Sequence, residues 1–152
     1  MGPREIGLTL LDALRRLELG TIDPEEAEVL AQGAGTMCQL AAVVADYHRS
    51  PHENPMPFFG CGPDESFGDN SAMLRDWVLW TDALRAVITK GGINPETTVY
   101  FERSLKDLLS NFEDENTTPD NYNTPASLLE LQTAVKNHLD DKNWRKAYEE
   151  ER

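Results

Sequence analysis

Apolar residues recur every three to four positions along this chain. Each run stops where Gly, Pro and helix-capping residues gather. Ile6, Leu10, Leu14 and Leu17, widened by Leu11, mark one face of a helix over residues 3–19. Gly20 is placed to end it in the left-handed conformation. Asp23 then reads as an N-cap, Pro24 as the first helical residue, and Glu26 stands three after the cap. The cap carboxylate accepts orphan backbone N–H groups, and Pro supplies the required φ without wasting a donor. The helix they open runs to about Arg49, so residues 3–49 form an αα-hairpin.

That second helix carries two stripes. Leu30, Met37, Leu40, Val44 and Tyr47 follow a repeat close to seven and read as core fillers. Ala27, Ala31, Ala34, Cys38, Ala41 and Ala45 form a small-residue stripe that lets a neighbouring helix approach, and a homodimer through this face of helix 23–49 is one use of it. Gly33 and Gly35 each cost about 1 kcal/mol against Ala in a helix interior, which points to a close backbone contact or a kink.

Residues 50–70 break the pattern. Pro51, Pro55, Pro57 and Pro63, with Gly60, Gly62 and Gly68, exclude a regular element. This loop also carries Met56, Phe58, Phe59 and Phe67, which either tuck back onto the helices or form a sticky patch. Asn70 or Ser71 opens a third helix to about Lys90, with Leu74, Trp77, Val78, Leu84 and Ile88 on its periodic face. Trp77 is expected inside, and Trp80 half-exposed beside that face. Asn94 and Pro95 open a fourth helix to residue 112, striped by Val99, Phe101, Leu105, Leu108, Leu109 and Phe112. Residues 113–123 read as an acidic, polar, solvated loop. A C-terminal helix over 124–140 carries Leu128, Leu131, Val135 and Leu139, and a tail covers 141–152.

An internal echo runs through both hairpins. Asp12-Ala13-Leu14-Arg15 recurs as Asp82-Ala83-Leu84-Arg85, and Ile22-Asp23-Pro24-Glu25 as Ile93-Asn94-Pro95-Glu96. Duplication and convergent turn chemistry both account for it. The fold class expected is all-α, a single helical domain over 1–152. Two αα-hairpins (3–49 and 71–112) pack as a helical bundle, joined by the Pro/Gly-rich central loop and followed by the C-terminal helix.

Charge narrows the partners. The net charge of −13 is spread along the chain rather than concentrated. Direct nucleic-acid binding is disfavoured, because that affinity comes from clustered Lys and Arg. A protein partner with a basic surface is favoured. No apolar run approaches the roughly 20 residues that span a bilayer, and the N-terminus lacks a secretory core. The two cysteines, Cys38 and Cys61, are too few for a disulfide scaffold. Both are expected reduced, in the cytoplasm.

The search for chemistry leaves no catalytic constellation. His48 and His52 have helical ligand spacing, and Cys61 offers a third ligand, but Pro51 interrupts the helix and no paired cysteines reinforce a zinc site. Asp64 and Glu65 beside Cys61 work against a thiolate nucleophile. Glu25 and Glu28 have the E-x-x-E spacing of magnesium-dependent helical pyrophosphohydrolases, yet the second carboxylate pair is missing, and the helix cap accounts for the acids at its start. No cofactor or metal is expected.

The segment LRRLELGTIDPEEAEVLA and the Ala-rich helix after it resemble short helical accessory and regulatory proteins of bacteriophages and mobile elements. The likeness spans about residues 8–47. It implies a small regulator or inhibitor acting by contact, and brings no functional residues with it. The function expected is therefore a non-enzymatic protein–protein interaction that blocks a surface of a host or defence protein, such as a basic nucleic-acid-binding channel. The contact residues expected are Met56, Phe58, Phe59, Asp64, Glu65, Phe67 and Trp80. A virion component or tail-assembly chaperone is the alternative.

Overall fold

The computed structural model of the chain describes residues 3–49, 70–90 and 95–140. Among them are five α-helices and no strand: α1 Pro3–Leu19, α2 Pro24–Arg49, α3 Ser71–Lys90, α4 Pro95–Glu113 and α5 Ala126–Asp140. The protein is an all-α helical bundle.

The helix ends follow local chemistry. Gly20 has φ of 74°. The Thr21 N–H donates to the Arg16 carbonyl at 2.8 Å and the Gly20 N–H to the Leu17 carbonyl at 3.2 Å, the paired bonds of a Schellman cap. The Glu25 N–H donates to Asp23 Oδ1 at 2.9 Å, so Asp23 is the N-cap of α2. Asn70 does the same for α3, accepting from the Met73 N–H at 3.1 Å. The Asn94 cap expected for α4 lies outside the described residues. At α5 the helix starts at Ala126, just after the expected Thr124-Pro125 pair, and the Leu128 N–H reaches the Pro125 carbonyl at 3.1 Å.

One core draws on all five helices, from Ile6, Leu10 and Leu14 on α1 to Leu128 and Leu131 on α5. Consecutive helices touch, but the most extensive contact is between α2 and α3, and α1 also packs on α4. Helix α3 touches α2, α4 and α5. The Trp77 ring also reaches α1: a β-carbon on Gly7 would lie 3.2 Å from it. A helix enclosed on so many sides buries a wide arc, and this corrects the placement of Trp80. Its side chain is fully buried, its Nε1 donates to the Phe101 carbonyl at 3.0 Å, and its ring meets the Phe101 ring edge-on at 5.5 Å. Trp77 is inside, as expected.

The two stripes of α2 exchange roles. Ala27, Ala31, Ala34, Cys38, Ala42 and Ala45 are buried. Gly35 sits so close to α3 that a β-carbon there would fall 2.7 Å from Thr81 Oγ1. Farther along the same pair of helices Arg85 of α3 reaches Glu28 of α2 at 3.8 Å, and small residues on the buried face of α2 let the two backbones approach this closely. The small face is thus packed against α3 within one copy of the chain. Leu30, Met37 and Leu40, expected in the core, are instead 36%, 39% and 47% exposed.

The echoed tetrapeptides occupy like environments. Ala13 and Leu14 are buried, as are Ala83 and Leu84, with Asp12 and Asp82 exposed. Each following arginine reaches across the bundle: Arg15 to Glu102 on α4 at 3.6 Å, and Arg85 to Glu28 on α2 at 3.8 Å.

The 113–123 stretch is more built than a solvated loop. Asp114 Oδ1 accepts from the Asn116 N–H at 2.9 Å, and Asn121 Oδ1 from the Thr118 N–H at 2.7 Å. Tyr122 then donates its hydroxyl to Asp76 on α3, a carboxylate only 6% exposed.

Candidate protein-interaction surface

Helix α2 is a surface helix without a charged outer face. No residue from Val29 to Ala45 is charged, in a chain of which 27% is Asp, Glu, Lys or Arg. Val29, Leu30, Met37, Leu40 and Val43 are all exposed. Their spacing in multiples of three, four and seven places them on one side of the helix, opposite the alanine stripe. From Val29 to Val43 the row is about 21 Å long at the helical rise. Single exposed apolar residues are ordinary, whereas several on one side of a helix make that side a candidate contact surface.

Gly33 lies within this row. It is exposed, helical, and nothing stands within 4 Å of where its β-carbon would be. Gly35 has a reason to be glycine in Thr81; Gly33 has none among the described residues, and it costs about 1 kcal/mol of helix propensity against Ala. At the N-terminal end of the row, Glu25 and Glu26 are exposed and form no ion pair among the described residues. They complement the positive end of the helix dipole and leave that end of the surface acidic. The paired charges lie on the flanks, where Glu28 meets Arg85 and Asp46 meets Arg75.

Of the contact residues read from sequence, Met56, Phe58, Phe59, Asp64, Glu65 and Phe67 lie outside the described residues. Trp80 is withdrawn from any contact surface by its burial under Phe101. Sequence reasoning missed Val29 and Val43 and assigned Leu30, Met37 and Leu40 to the core. The signal for the surface was the uncharged run itself. Two apolar stripes on opposite sides of one helix cannot both face a single core.

Comparison with protein-family models, curated proteins and solved structures finds no match.

Cys38 is fully buried, and burial pushes its thiol up to about 12. Burial, then the bond to Asp76 and its charge, also raise the Tyr122 hydroxyl. No group of three or more His, Cys, Asp or Glu able to hold a metal ion occurs among the described residues. His48, His52 and Cys61 fall where no side chain is described. His138 lies in the last turn of α5 and is buried. No helix of the described residues is long and apolar enough to cross a membrane.

Proposed function

We propose that this chain is a non-enzymatic protein-binding protein whose contact surface is the outer face of α2. The observation that carries the reading is the exposed row Val29, Leu30, Met37, Leu40 and Val43 on a helix with no charge between Val29 and Ala45. Such a row is unfavourable in water and becomes favourable once a partner covers it, at about 25 cal/mol per Å² of apolar surface removed from solvent. The net charge of −13 favours a partner with a basic surface, by steering encounter and by rejecting acidic proteins. In its specific form, the proposal is an inhibitor or regulator that masks a basic surface of a host or defence protein. The resemblance of residues 8–47 to phage and mobile-element regulators supports that form.

Affinity capture from the lysate of the source organism, read by quantitative mass spectrometry, tests it. Wild type is expected to retain one partner that Leu40→Asp loses and that Leu19→Asp keeps; Leu19 is 77% exposed but lies on α1. A partner retained by Leu40→Asp and lost by Phe58→Asp/Phe59→Asp would move the contact surface to the 50–70 loop. A partner indifferent to all three variants overturns the α2 assignment.

A further inference from the structure

The apolar row of α2 has a notch at Gly33, and this notch says more about what covers the row. A helical glycine on an apolar surface, with open space where a side chain would stand, lets another backbone approach α2 closely at that point. The approaching segment must keep its own backbone hydrogen bonds while lying on apolar side chains. The described residues form five helices and no strand, so they offer no sheet edge to which a strand could be added. A helix satisfies its own N–H and C=O groups and needs no such edge.

Charge decides what kind of helix. From Thr21 to His48 there is no Lys or Arg, and Glu25 and Glu26 stand exposed at one end of the row. A second copy of this chain would bring −13 against −13. An anionic bilayer surface is disfavoured for the same reason, since interfacial helices flank their apolar face with Lys and Arg. Resting on the protein-binding reading above, we infer that the occupant is an amphipathic helix of another protein, rimmed with Lys or Arg, crossing α2 over Gly33.

The probe is a synthetic helical peptide of repeated Leu-Lys-Lys-Leu-Leu-Lys-Leu. The control is the same peptide with Glu for Lys. Affinities are measured for wild type, Gly33→Ala, Gly33→Leu and Leu40→Asp, with a melting curve for each. Wild type is expected to bind the Lys helix and ignore the Glu helix. Gly33→Leu fills the notch and weakens binding at least tenfold. Gly33→Ala raises the melting temperature, since nothing obstructs the added methyl, yet weakens binding several-fold.

Equal affinity for Gly33→Leu and wild type, with loss in Leu40→Asp, overturns the crossing at Gly33 and leaves the α2 surface standing. Unchanged binding in Leu40→Asp as well sinks the surface reading itself. Binding of neither peptide overturns the basic helix. So does a dimer in sedimentation that Gly33→Leu abolishes, which makes the occupant a second copy. Capture of wild type by anionic phospholipid vesicles, lost in Leu40→Asp, makes it a membrane. A melting temperature that falls in both Gly33→Ala and Leu40→Asp means that another part of this chain already covers the row.

Discussion

Gly35 on α2 faces Thr81 on α3 so closely that a β-carbon at Gly35 would fall 2.7 Å from the Thr81 hydroxyl oxygen. That hydroxyl donates to the Val78 carbonyl at 2.8 Å, and a β-branched side chain in a helix has little χ1 freedom to move aside. Gly35→Ala is therefore expected to destabilise the fold by about 1–2 kcal/mol, overpacking outweighing the gain in helix propensity. In Gly35→Ala/Thr81→Ala the remaining contact, to the residue-81 β-carbon at 3.5 Å, is ordinary, so most of the loss should return. Urea denaturation of the four proteins of this cycle checks it, and additive losses would sink the explanation.

The two buried tryptophans make opposite predictions. Trp80 donates its indole N–H to the Phe101 carbonyl, whereas Trp77 Nε1 has no hydrogen-bond partner. Replacing either by Phe removes volume, but only Trp80→Phe also breaks a buried hydrogen bond and the edge-on ring contact. Trp80→Phe should be the more destabilising by about 1–2 kcal/mol. Equal melting temperatures for the two variants would contradict this.

Tyr122 links the 113–123 segment to the bundle through Asp76. Its hydroxyl titrates above its ordinary value because burial, and then Asp76, oppose the phenolate. A group whose pKa is raised by folding contributes stability that is whole below its unfolded value, about 10, and lost as pH climbs above it. Tyr122→Phe leaves the Asp76 carboxylate without this donor and should cost about 1–3 kcal/mol at neutral pH. The gap between wild type and variant should narrow above about pH 10. A gap constant from pH 7 to 11 in denaturant titrations would count against the Tyr122–Asp76 coupling.

Cys38 is predicted to be chemically silent in the native state. With the thiol raised from 9.0 to about 12, the thiolate fraction at pH 8 is about one in ten thousand, against about one in ten when unfolded. In a Cys61→Ser background, alkylation by iodoacetamide at pH 8 should be slower by about a thousandfold than in denaturant. The same raised value means that the stability contribution of Cys38 is intact below about pH 9 and lost as pH rises toward about 12. Native labelling as fast as denatured labelling would show that the thiol is reached without unfolding.

Much of the fold was legible because it is written in local chemistry. Gly20, Asp23 and Asn70 mark helix ends through bonds made within a few residues of themselves, and the structure shows those bonds. Helices α1 and α5 each have one apolar stripe with Ile6, Leu10 and Leu14, or Leu128 and Leu131, fully withdrawn from water, as the spacing predicts. The exposed apolar row of α2 was not legible in the same way, although its residues stood in the pattern.

Sequence alone determined the helices, the helix ends at Gly20, Asp23 and Asn70, the acidity and the uncharged run from Val29 to Ala45. Only the tertiary structure decided which side of α2 faces inward. Periodicity reports that residues share a face and is silent on which neighbour that face meets. The choice fell to α3, whose Thr81 stands against Gly35 where the small residues of α2 are buried. With the small face of α2 turned to α3, Leu30, Met37 and Leu40 were left outside, and Trp80 was drawn inside because Phe101 of α4 closes over it.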